Sequence, residues 1–201
     1  MTPMDRVASS ARRGPGVWNV ANALTMSRIA LVPIYGWLLL RADGTSPDYR
    51  WMATAVFAVA MLTDRIDGSL ARSRGLVTDF GKITDPIADK LLTGMAFVGL
   101  SVIGELWWWI TIVVLSREVI ITGMRLLVLR RVVIPASRGG KLKTVLQALA
   151  LGLLSAPLTG PVRLLAGVVM AAAVIVTVWT GYGYLASARA ALAAPKPTGG
   201  T

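Results

Sequence analysis

The sequence predicts an all-α integral membrane protein with six transmembrane helices and a short N-terminal interfacial segment, and three observations lead there. Of the 201 residues, 55% are hydrophobic and only 15% charged, with a mean hydropathy of +0.64, which is too apolar for a water-soluble domain of this length. Apolar runs recur at residues 29 to 40, 51 to 63, 91 to 116, 119 to 129, 144 to 161 and 162 to 186, and a span requires roughly 20 mostly apolar residues. The basic residues fall between these runs on alternate sides. With the N-terminus inside, the inner segments hold Arg6, Arg12, Arg13 and Arg28, then Arg65, Arg72, Arg74, Lys82 and Lys90, then Arg130, Arg131, Arg138, Lys141 and Lys143, and finally Arg189 and Lys196, while the outer ones keep only Arg41, Arg50 and Arg163. That bias is the positive-inside pattern. It predicts a multi-pass protein of the plasma or inner membrane with both termini cytoplasmic. It also accounts for the net charge of +11 without a nucleic-acid partner.

Each element then follows in order. Residues 1 to 18 read as a basic cytoplasmic or interfacial arm, retained in the chain because Asn19, Asn22 and Arg28 interrupt the clean apolar core that a cleaved signal needs. The first helix is expected from 19 to 40, ending at the turn-rich "RADGTSPDYR". The second starts near Tyr49 and carries Asp64 and Asp67 at its cytoplasmic end. Residues 73 to 83 form a loop or short helix. "TDP" marks a fresh start, since Asp85 before Pro86 suits a helix N-terminus. Helices three and four meet on the outer side near Gly104 and Glu105, where Trp107, Trp108 and Trp109 form an aromatic belt. The fourth helix contains Arg117, Glu118 and Arg125 inside an apolar stretch. "RRVVIPASRGGK" leads through the cytoplasm to helix five, Pro157 to Pro161 turn the chain into helix six, and 191 to 201 form a disordered tail. A single six-helix domain, residues 19 to 190, is the economical organisation.

Cysteine and histidine are both absent. Thiolate chemistry and the commonest general base are therefore excluded, and acid or base work falls to carboxylates, lysine or tyrosine. Half of the ten acidic residues lie in "TDRIDGSLARSRGLVTDFGKITDPIADK", residues 63 to 90. Asp64 and Asp67 are three apart and Asp85 and Asp89 four apart, so each pair shares one helix face. Four carboxylates on two helix ends repel one another unless a cation joins them. All-oxygen donors favour a hard divalent ion, Mg²⁺ or Mn²⁺. Gly68, Ala71 and Gly81 leave space for a bulky phosphate, and Arg72 offers it a bidentate cation. A diphosphate held by two divalent ions is the implied ligand. Asp79 reads as ordinary loop charge.

The same segment resembles the signature of the CDP-alcohol phosphotransferases, D-x2-D-G-x2-A-R-x8-G-x3-D-x3-D, at all of its fixed positions: Asp64, Asp67, Gly68, Ala71, Arg72, Gly81, Asp85 and Asp89. The resemblance implies a six-helix membrane fold, a homodimer, and transfer of a phosphatidyl group from CDP-diacylglycerol to an alcohol with release of CMP. It also implies that Asp64, Asp67 and Asp85 bind metal, with Asp89 as general base touching the second ion. Gly68, Ala71, Arg72 and Thr78 would hold the CDP portion, and "NALT", Asn22 to Thr25, with Arg28, resembles the family's first-helix nucleotide contact.

"SREVIITGMR", residues 116 to 125, and "GKLKTVLQ", residues 140 to 147, resemble the phosphatidylglycerophosphate synthase branch, whose acceptor is glycerol 3-phosphate. A phosphorylated acceptor brings about two negative charges, for which Arg117, Arg125, Lys141 and Lys143 are the candidate cations. Ordinary positive-inside charge explains Lys141 and Lys143 nearly as well. Inositol phosphate and phosphatidylglycerol are the alternative acceptors. A divalent-cation transporter is the reading from another class, and a scaffold protein binding anionic lipid a third. The transporter would place its acids near the bilayer midplane rather than beside a basic loop.

Overall fold

A computed structural model describes residues 20–73, 79–128 and 138–193. These form six α-helices: α1 Val20–Leu40, α2 Pro47–Ser73, α3 Asp79–Val102, α4 Trp108–Val128, α5 Arg138–Ser155 and α6 Gly160–Ala193. Among the described residues there is no strand. The arm at 1 to 18 lies outside the described residues.

Two of the helices, over Asn22–Gly44 and Gly160–Ala186, are long and apolar enough to cross a membrane on length and composition alone. Charged residues such as Asp64 in α2, Asp89 in α3, Arg117 in α4 and Lys143 in α5 interrupt the others. Outward-facing surfaces are greasy: Trp179 is 79% exposed, Val119 72%, Leu164 71% and Leu62 61%. Exposed apolar side chains of this size and number suit lipid better than water.

The chain divides into two compact units, Met1–Met95 and Ala96–Thr201. In the first, α1 packs against α2, joined by a 3-10 turn at Arg41–Gly44 in which Ala42, Asp43 and Gly44 all take positive φ. Trp37 and Tyr49 meet edge to face beside this turn and the Arg41 guanidinium lies over both rings. The buried stripe of α1 runs through Val32, Tyr35 and Leu39, and the Tyr35 ring tilts against Phe57 of α2 at 5.5 Å. Ala53 and Ala60, both fully buried, let the helices approach closely. At Gly36 an added Cβ would fall 2.8 Å from Met95 Sδ of α3, so the glycine admits that side chain.

α3 corrects one expectation. It begins at Asp79 and includes Pro86 in its interior, so "TDP" is not a helix start. Membrane helices tolerate such a proline because neighbouring groups satisfy the freed carbonyl. Asp85 therefore stands on a continuous helix, one residue along from the buried stripe Thr84, Ala88 and Leu92.

In the second unit α6 packs against both α5 and α4 around Leu151, Leu154, Ala166, Met170 and Ala173. Gly104, with φ 75°, makes the turn from α3 to α4. Ser101 and Thr111 hydrogen-bond at 2.7 Å, and Thr111 also donates to the Phe97 carbonyl. The expected turns at Gly104 and between Pro157 and Pro161 are thus where the helices change.

Candidate active site

The apolar stripe of α1 does not end at Val32. One turn towards the N-terminus the same face carries Arg28, then Thr25, then Asn22, exposed by 1%, 1% and 5%. Three-residue spacing keeps a helical face, so the stripe that packs the core becomes polar at one end. Arg28 is too buried to reach for a headgroup region. It instead pairs with Asp64 of α2, Nη1 to Oδ1 at 2.6 Å. Thr25 Oγ1 donates to Asp85 Oδ1 of α3 at 2.5 Å. One helix face thereby holds a carboxylate from each of its two neighbours.

Asp64 keeps 38% of its side chain exposed, and Asp85 is exposed. Among the described residues each has its Oδ2 uncommitted to a hydrogen bond. Asp89 is half-buried one turn after Asp85, its carbonyl accepting from Thr93 Oγ1 at 2.8 Å. Three of the four sequence-predicted acids are therefore described, and two are oriented by α1. Among the described residues no three acidic side chains are grouped as a metal cage. Asp67, Gly68, Ala71 and Arg72 fall on the last turns of α2, with side chains outside the described set, and Thr78 lies outside the described residues entirely. The donors present are hard oxygens, open on one side and fixed on the other by Thr25 and Arg28, which fits a divalent cation of the magnesium class.

The second unit contains a separate polar cluster. Arg117 Nη1 donates to Glu118 Oε1 at 3.0 Å and Nη2 to Thr180 Oγ1 at 3.0 Å. Lys143 Nζ of α5 donates to the same Glu118 Oε1. Gln147 Nε2 donates to Thr177 Oγ1 at 3.0 Å. Lys143 and Gln147 are buried, whereas Lys141 is exposed. The candidate cations thus separate: Arg117 and Lys143 converge on Glu118, Lys141 is exposed, and the side chain of Arg125 is outside the described set. Gly181 is the matching space. A Cβ there would stand 3.3 Å from both Cγ and Nε of Arg117.

Sequence reasoning offers Glu118 as a partner for Arg117, which the structure shows, and misses three parts: Arg28 as the partner of Asp64, signalled by an arginine on the buried side of an apolar helix; Lys143 as the second partner of Glu118; and Thr180 with Gly181 as the bed for Arg117.

Residues 18–179 match the family model described as CDP-alcohol phosphatidyltransferase. The chain is 50% identical over 183 residues to a probable phosphatidylglycerophosphate synthase of Mycobacterium tuberculosis, covering 91% of this chain and 86% of that protein. It is similar to two proteins named CDP-diacylglycerol–glycerol-3-phosphate 3-phosphatidyltransferase. The one from Rickettsia bellii is 35% identical over 85% of this chain and 96% of its own length, and the one from Bacillus subtilis 36% identical over 69% and 77%.

Proposed function

The chain belongs to the CDP-alcohol phosphatidyltransferases, and from that premise we propose that it transfers the phosphatidyl group of CDP-diacylglycerol to glycerol 3-phosphate, giving phosphatidylglycerophosphate and CMP in phospholipid biosynthesis. The observation that carries the reading is the polar face of α1, where Thr25 and Arg28 hold Asp85 and Asp64, two acids of a signature that the sequence fills completely. The names of the similar proteins support glycerol 3-phosphate as acceptor.

Asp64, Asp67, Asp85 and Asp89 would hold two divalent ions, Mg²⁺ or Mn²⁺. When bound, these supply neutralisation of the diphosphate and of the departing phosphate. The rest of the chemistry belongs to the chain. Asp89 accepts the proton from the primary hydroxyl of glycerol 3-phosphate. That oxygen forms a bond to the phosphorus carrying diacylglycerol, the P–O bond to the CMP phosphate breaks, and CMP leaves with its negative charge facing Arg72. Asn22, Thr25, Gly68, Ala71, Arg72 and Thr78 bind the CDP portion. Arg28 and Thr25 orient Asp64 and Asp85, each leaving one carboxylate oxygen for the ions. Arg117, Arg125, Lys141 and Lys143 are the groups for the acceptor phosphate, with Arg117 and Lys143 converging. In this reading six helices span the plasma or inner membrane, both termini and the active site are cytoplasmic, residues 1 to 18 rest at the interface and the enzyme is a homodimer.

The test is CMP release from CDP-diacylglycerol by the purified, lipid-reconstituted protein, with glycerol 3-phosphate, inositol 1-phosphate, inositol, serine and phosphatidylglycerol supplied one at a time. Release with glycerol 3-phosphate far above the other acceptors is expected. Preference for another acceptor would replace the proposed substrate, and no release with any would remove the activity.

A further inference from the structure

Two cations of the second unit aim at one oxygen. Arg117 Nη1, at 3.0 Å, and Lys143 Nζ both donate to Oε1 of Glu118. Charged donors converging on a single anionic oxygen make the arrangement with which proteins receive an oxyanion. The cations are the more deeply set part: the side chains of Lys143 and Arg117 are 8% and 17% exposed, that of Glu118 26%. Their supports are built in. Thr180 Oγ1 accepts from Arg117 Nη2 and itself donates to the Val176 carbonyl at 2.7 Å. Gly181 gives the arginine its channel along α6. Arg117 Nε is buried with no acceptor among the described residues, so the guanidinium retains a donor that Glu118 does not use.

Two cations, Arg117 and Lys143, meet a single Glu118 oxygen here. A phosphomonoester brings about two negative charges and suits the pair of cations better than Glu118 does. A neutral alcohol has nothing with which to part them.

We propose that Glu118 is a stand-in for the acceptor's phosphate: its carboxylate holds Arg117 and Lys143 together while the site is empty, yields them to the incoming phosphate, and so biases the enzyme towards phosphorylated alcohols. The inference rests on the assignment of Arg117 and Lys143 to the acceptor phosphate. It makes Glu118 a specificity residue that competes with the substrate. Specificity gained by placing a cost on the wrong ligand follows the same logic in other sites.

The test uses the purified full-length enzyme in phospholipid vesicles containing CDP-diacylglycerol, with inorganic phosphate as a competitor of glycerol 3-phosphate. Removing the competing charge in Glu118→Gln lowers the KM for glycerol 3-phosphate and the inhibition constant of phosphate together. The size expected is roughly two- to fivefold, the range in which part-exposed ion pairs act. Glu118→Asp, which keeps the charge but shortens its reach, shifts both constants the same way by less, and serves where the glutamine variant folds poorly. A Glu118 that merely braced the two cations would instead release them on substitution, and both constants would rise or stay put. Lys143→Met distinguishes the acceptor site from the stand-in role of Glu118. If it raises the KM for glycerol 3-phosphate while Glu118→Gln raises it too, the acceptor site stands and the stand-in role is overturned. If neither Lys143→Met nor Arg117→Met alters that KM, the acceptor assignment fails and the inference with it.

Discussion

Arg28 of α1, 1% exposed, pairs at 2.6 Å with Asp64 of α2, whose side chain is 38% exposed. The buried cation is the fixed member and the acid the open one. Replacing the arginine therefore frees a carboxylate that water can still reach, which limits the loss of stability. The larger loss is orientation. Arg28→Met is expected to lower kcat/KM on the order of a hundredfold, the cost typical of removing a group that orients a metal ligand, with Arg28→Lys intermediate. CMP-release kinetics beside thermal unfolding of the same preparations separate the two effects.

Thr25 donates its hydroxyl to Asp85. A hydrogen bond to a charged group contributes roughly 1.5 to 3 kcal/mol, so Thr25→Val, which keeps the shape, is expected to reduce activity about ten- to hundredfold. Thr25→Ser retains the donor and most of the rate. Steady-state CMP release for the two variants, at saturating Mg²⁺ and at limiting Mg²⁺, shows whether the loss appears as weaker metal dependence.

Gly181 faces the Arg117 side chain, and a Cβ there would press on Cγ and Nε at 3.3 Å. A shift of the arginine to relieve that contact loosens its hydrogen bonds to Thr180 and Glu118. Gly181→Ala is expected to raise the KM for glycerol 3-phosphate by roughly three- to tenfold, with little change in the KM for CDP-diacylglycerol. Equal effects on both substrates would refute the assignment of this arginine to the acceptor.

In the proposed mechanism Asp89 carries the general-base role. Asp89→Asn is expected to reduce turnover by about 10² to 10⁴, the contribution of a positioned proton acceptor, while CDP-diacylglycerol still binds. Binding measured on vesicles beside single-turnover CMP release checks both halves. A fully active variant would move the role elsewhere.

The helix count, the turns at Gly104 and between α5 and α6, and the acids on α2 and α3 were legible because each depends on local spacing: apolar runs, glycine and proline punctuation, carboxylates three or four apart. The start of α3 was not, since Pro86 ordinarily marks a helix start and here lies in the interior. Nor were the pairings. Arg28 with Asp64, Thr25 with Asp85 and Glu118 with Lys143 join different helices, and nothing in a helix's own periodicity names its partner. The buried polar face of α1 was the nearest clue, because Asn22, Thr25 and Arg28 extend the stripe of Val32 and Tyr35.

The proposed chemistry depends most on carboxylates of separate helices jointly binding divalent ions. Titration of Mn²⁺ into the purified, CDP-diacylglycerol-loaded protein, followed by the electron paramagnetic resonance of free Mn²⁺, measures this directly. Two bound ions per chain in the unaltered protein, with binding weakened in both Asp64→Asn and Asp85→Asn, is the expected result. Binding unaffected by either substitution, or no binding in a preparation that still releases CMP, would contradict it.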